Sequence, residues 1–95
     1  MAQNVVLTAN RDGWTLLTDA DIGTVTFQNL SDHDMQFWAT TDTTVPAAST
    51  VGLKYAPGFG ESSGALATLF PGLTSPDRLW AKGAVNGAKV FVSHA

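Results

Sequence analysis

Only one short stretch of this sequence carries the donors of a metal site. Asp32, His33 and Asp34 stand consecutively in "SDHD". Two carboxylates and one imidazole are part of a ligand set for a divalent cation, but not a complete one. Asp19 and Asp21 are candidates to add oxygens from a neighbouring loop. The same residues also suit a solvated turn, and that reading is preferred: no metal and no cofactor is expected. His33 and His94 are the candidate general bases at neutral pH. There is no Cys to act as a nucleophile, and no Ser sits in a G-x-S-x-G elbow. "GFGESSG" (58–64) has glycines but neither a Lys nor a strand-loop-helix context, so it is not a phosphate loop. The chain is not expected to be an enzyme. The remaining residues with binding chemistry are Trp14, Trp38 and Trp80, because aromatic platforms on a β-sandwich can stack on sugars. Ordinary packing or a subunit contact is the competing use of the three rings, and the preferred one.

The elements that would position these residues are strands. "NVVLTA" (4–9) is short and β-branched, and "GWTLLT" (13–18) follows a turn signal. "GTVTFQNL" (23–30) alternates, with Val25 and Phe27 on one face and Thr24, Thr26 and Gln28 on the other. "MQFWAT" (35–40) alternates again, with Met35, Phe37 and Ala39 opposite Gln36 and Trp38. The four-residue polar loop between these two strands predicts a hairpin. All four prolines and five of the nine glycines fall between Pro46 and Pro76. Within that region "STVGLKY" (49–55) reads as a strand, "APGFGESSGA" (56–65) as loop, and "LATLF" (66–70) as a strand or one helical turn. The region as a whole reads as an ordered connection running over the sandwich. No window supports a long helix. The fold class expected is all-β: a small antiparallel sandwich or barrel of seven to eight short strands, Greek-key or jelly-roll-like, as one domain over 1–95.

The last segment, "DRLWAKGAVNGAKVFVSHA" (77–95), carries the strongest turn signal, Asn86-Gly87. A two-residue hairpin there would pair Gly83 with Val90, Ala81 with Val92 and Leu79 with His94. Leu79, Ala81, Val90 and Val92 would then form the core face. Trp80 and Phe91 would face outward, with Arg78, Lys82 and Lys89 around them. Exposed aromatics flanked by cations mark protein–protein contacts, so Trp80, Phe91, Lys82, Arg78, Lys89 and Trp38 are the expected interface residues. The opposite assignment, with Trp80 and Phe91 inside, stays open, because a sandwich core takes large side chains.

Composition agrees with a protein that lives against other proteins. The chain has 95 residues, 44% apolar and only 14% charged, against about 25% charged in average domains. So small a domain has a thin core and gains from oligomerisation. The net charge of −3 disfavours nucleic acid. There is no apolar run long enough for a membrane span and no signal-peptide pattern, so a soluble product made in the cytoplasm is expected. Residues 1–48 hold six acids and one base, whereas 49–95 hold two acids and four bases. That asymmetry admits head-to-tail docking of copies, or chance.

"VTFQNLSDHDMQFWAT", "VPAAST", "GLKYAPG" and the closing "RLWAKGAVNGAKVFVSHA" together resemble small structural proteins from the late gene clusters of tailed bacteriophages and prophages. The elements that carry the resemblance are Val25 to Asn29, Met35 to Ala39, Pro46 to Ala48, Pro57-Gly58, Leu79 to Lys82 and Val85 to Ser93. It covers 23–95. The segment 1–22 lies outside it, as N-terminal strands with a neighbouring subunit within their expected reach. The resemblance implies a virion component, foremost a head decoration or cement protein. Its partners would be itself, as a homotrimer, and the major capsid protein, with no nucleic acid and no membrane. A carbohydrate-binding or tail- and fibre-attachment module that recognises the host surface is the alternative. No catalytic residue is implied.

Overall fold

Register explains this fold better than a catalogue of strands does. The computed structural model describes residues 3–18 and 22–94. Along the chain come β1 (Gln3–Ala9), β2 (Thr15–Leu16), β3 (Thr24–Asn29), β4 (Met35–Thr40), β5 (Leu53–Tyr55), β6 (Gly60–Ala65), the single helical turn α1 (Leu66–Leu69), β7 (Arg78–Gly83) and β8 (Ala88–His94). β1 pairs with β8 from Gln3↔His94 to Ala9↔Ala88. β2 pairs with β7 at Thr15↔Ala81 and Leu16↔Trp80, continuing the same ribbon with its register shifted by one residue. β3 pairs with β6 and β4 with β5, which makes a second ribbon. Each ribbon bends between its two halves, and the halves enter different sheets. The result is two four-stranded antiparallel sheets, β1-β8-β3-β6 and β2-β7-β4-β5. This order is the jelly roll, in which two Greek keys close over one core.

The alternation read from the sequence places the core correctly. Val25, Phe27, Met35, Phe37, Ala39, Leu79, Ala81, Val90 and Val92 are all buried in one cluster. Phe27 from one sheet meets Phe37 from the other at 4.4 Å between ring centroids, and Tyr55 lies edge-on to both at 5.3 Å. Offset and edge-to-face contacts of this kind add about 0.5–1.5 kcal/mol per pair beyond the area they bury. Asn29, at the end of β3, is fully buried yet satisfied. Its Nδ2 donates to the carbonyls of His33 (2.7 Å) and Tyr55 (2.9 Å), while its Oδ1 accepts from the Ser31 amide (2.9 Å) and hydroxyl (2.7 Å). A side chain of one sheet thus holds both the crossing loop and a strand of the other sheet.

Four expectations are corrected. β3 and β4 lie in different sheets, so the four-residue loop is a crossover and not a hairpin turn. β7 and β8 are separated in the same way, and the pairings of Gly83 with Val90 and Leu79 with His94 do not occur. Asn86-Gly87 is still a tight bend, with Gly87 at φ +79°. It closes an arch that docks on the β1–β2 arch through Gly83 N–H to Asn10 O (3.1 Å), Gly87 N–H to Asn10 Oδ1 (3.1 Å) and Arg11 N–H to Asn86 Oδ1 (3.2 Å). At Gly83 a Cβ would stand 2.8 Å from Val85 O, so the absence of a side chain lets the arch close. Part of "APGFGESSGA" is strand, as β6, and not loop. Finally, strands from the two halves of the sequence alternate in both sheets. The two halves of the chain therefore interleave, and the acidic half and the basic half do not form separate lobes that could dock head to tail.

Candidate functional site

The sandwich has two outer faces, and they are built differently. On the β2-β7-β4-β5 sheet, cross-strand pairing aligns Leu16, Trp80 and Trp38 in one row and Lys82, Gln36 and Lys54 in the next. The chain covers this face itself. The 41–52 connection lies across it, held by hydrogen bonds from Trp14 Nε1 to Ala47 O (3.1 Å), from Lys82 Nζ to Ala48 O, and from Gly52 N–H to Gln36 Oε1 (2.9 Å). Trp80 is 3% exposed and Trp14 7%. The Trp80 indole N–H donates to Thr40 Oγ1 at 2.8 Å, which satisfies its one polar atom. Trp38 is half-buried, with the Phe70 ring edge-on at 6.1 Å.

Among the described residues the β1-β8-β3-β6 sheet has no such cover. Val6, Phe91 and Gln28 form its central outer row, with Asn4, Ser93 and Thr26 on one side and Thr8 with Lys89 on the other. Val6 is 51% exposed, and Phe91 beside it is half-buried. Lys89, the one cation among these residues, donates to Thr8 Oγ1 at 2.8 Å. The face is otherwise made of hydroxyls and amides around an apolar centre.

The six expected interface residues therefore do not form one patch. Trp80, Trp38, Lys82 and Arg78 lie on the outer face of one sheet, and Phe91 and Lys89 on that of the other. The outward parity of Trp80 and Phe91 was read correctly. Their adjacency was not, because it rested on a hairpin that the ribbon topology replaces. Trp80 is covered by its own chain, Lys82 holds that cover, and Arg78 pairs with Asp77 at 3.1 Å. Of the six, Phe91 and Lys89 remain on the uncovered face. Their partners Val6, Asn4 and Thr8 escaped sequence reasoning because Val5 and Val6 are both apolar, so that strand does not declare which side faces out.

Among the described residues, no group of three or more His, Asp or Glu side chains is placed to hold a metal ion. Asp32, His33 and Asp34 are exposed on the crossing loop; Asp19 and Asp21 lie outside the described residues. His94 is buried at the end of β8, remote in sequence and setting from His33. Among the described residues one titratable group is clearly perturbed. Tyr55 is pushed up to about 12, chiefly because burial disfavours the phenolate and secondarily because its hydroxyl donates to Glu61 Oε2 at 3.0 Å. This bond joins β5 to β6 and so links the two sheets. No protein-family model, no curated protein and no solved structure matches the chain. The two faces are what the functional argument has to work with.

Proposed function

We propose that this protein is a structural subunit of a tailed-bacteriophage virion: a head decoration protein that binds the capsid surface and its own copies, as a homotrimer. The observation that carries the reading is the uncovered outer face of the β1-β8-β3-β6 sheet, with Val6 and Phe91 at its centre. An apolar centre within a weakly charged polar rim is the composition of a protein–protein contact. The contrast with the opposite face sharpens the point, since there the same chain shields its aromatics. The resemblance of 23–95 to phage structural proteins supports the reading, as does the recurrence of the jelly roll among viral capsid domains. A thin core that gains from partners fits it as well.

Sedimentation equilibrium on the isolated chain at tens of micromolar is the test, run beside Val6→Asp and Phe91→Ala. The reading expects a trimer that both variants weaken while remaining folded, and co-sedimentation of the wild type with purified capsids. A monomer that also ignores capsids would reject it.

A further inference from the structure

The covered face is not sealed. Beside Trp38, between the strand and the 41–52 connection, an open groove of about 320 Å³ is lined by Trp38, Thr41, Asp42, Thr44, Pro46 and Thr50, among others. We infer that this groove is a binding subsite for a neutral hexopyranose unit of a polysaccharide. The inference is independent of the assembly reading, because the groove and the Val6–Phe91 face belong to different sheets.

The lining has the two chemistries that a sugar ring requires. A pyranose presents a patch of C–H bonds on its face and hydroxyls around its edge. The half-buried Trp38 indole, braced by Phe70 at 6.1 Å, is a rigid π surface for the C–H face. At the edge stand the exposed residues Thr41, Asp42 and Thr44. The Asp42 carboxylate is oriented, since its Oδ1 accepts the Thr44 amide at 2.9 Å. A carboxylate held in this way has acceptor sites for two neighbouring sugar hydroxyls, and such charge-assisted bonds are the stronger kind. The Thr40 hydroxyl donates to Asp42 O at 2.6 Å and so ties the start of the loop to β4. The aromatic and the carboxylate thus keep a fixed relation.

The same residues reject the obvious competitors. The lining contains no cation, so an anionic sugar or phosphate would meet Asp42 without compensation. A peptide that binds by adding a strand needs a free strand edge, and β4 is paired on both sides, by β7 and β5. Trp14 and Trp80 take no part, because both are buried and neither lines the groove.

The test is titration of the ¹⁵N-labelled full chain with maltohexaose, cellohexaose and N-acetylchitohexaose, each to about 10 mM, a range that captures the weak affinities of single-ring sites. At least one should give saturable shifts confined to the Trp38 indole N–H and the amides of 40–50. Trp38→Ala should weaken that binding about two- to tenfold, the stacking contribution converted to affinity. Asp42→Asn keeps the acceptor for the Thr44 amide and removes the charge; it should weaken binding severalfold without disturbing the fold. Phe91→Ala, on the other sheet, should bind like the wild type. Absence of saturable shifts with all three sugars overturns the inference, and so does binding that Trp38→Ala leaves intact. If Trp38→Ala does not fold, Asp42→Asn decides, and undiminished binding in that variant rejects the site.

Discussion

The two outer faces start from similar sequence patterns and end in opposite states. In each, a strand alternates apolar-in and polar-out, with a large aromatic at an outward position: Trp80 on β7 and Phe91 on β8. On one face the chain returns across the sheet and buries the ring to 3% exposure. On the other no segment among the described residues returns over the centre, and Phe91 stays only partly buried beside the exposed Val6. An outward aromatic is therefore not in itself a contact residue. What matters is whether a loop of the same molecule reaches it first, and that depends on where the long connections run.

The largest expected effect tests this difference directly. Trp80→Ala should lower the stability of the isolated chain by about 3–5 kcal/mol, as for a core aromatic, with the Thr40 hydrogen bond lost as well. Phe91→Ala should cost about 1–2 kcal/mol, because that ring is only partly buried, and act on association as well. Urea denaturation of both variants, at a concentration where the chain is monomeric, checks the pair. Equal losses would mean that the faces do not differ.

Next comes the cover itself. A Cβ on Gly52 would stand 2.3 Å from Phe37 O and 3.0 Å from the Trp14 ring. Gly52→Ala should therefore push the connection outward, at about 1–3 kcal/mol, and shift Trp emission to the red. An unshifted spectrum would show that the cover rests elsewhere.

The paired cations give a smaller contrast. Lys82→Glu removes the bond to Ala48 O and should cost about 1 kcal/mol with no change in association. Lys89→Glu, on the uncovered face, should leave stability within about 0.5 kcal/mol and alter association most at low salt. If the two charge reversals exchange their effects, the assignment of faces is inverted.

The smallest effect lies at the seam between the sheets and should leave both faces unchanged. Tyr55 is raised to about 12 in the folded chain, whereas an unfolded Tyr titrates near 10. The folded state thus favours the neutral phenol. Its contribution is fully present below about pH 10 and is lost as pH rises toward about 12. The difference in stability between wild type and Tyr55→Phe should be flat through neutral pH and shrink over that alkaline interval.

The sequence alone was enough to establish the inward faces of β3 and β4 and to favour those of β7 and β8. Period-two alternation is a local property, and a strand obeys it whichever neighbour it finds. That is why Val25, Phe27, Met35, Phe37 and Ala39 were legible as core and Trp38 as outward, and why Leu79, Ala81, Val90 and Val92 were the favoured core face of the last segment, with Trp80 and Phe91 outward and the opposite assignment open. At 66–70 the sequence left a strand or one helical turn open, since Pro and Gly leave room for nothing longer, and α1 is the turn. β6 was not, since "GESSGA" has no strand-forming composition and is held by β3 alone. Partners were not legible either. A short polar loop or an Asn-Gly bend can close a hairpin or carry the chain across to a second sheet, and local geometry does not distinguish them. Only the tertiary structure decided, because β8 gains seven partners from β1 and four from β3, and that pairing outweighs a local hairpin. The same decision separated Trp80 from Phe91, put the 41–52 connection across one outer face, and left a groove beside Trp38.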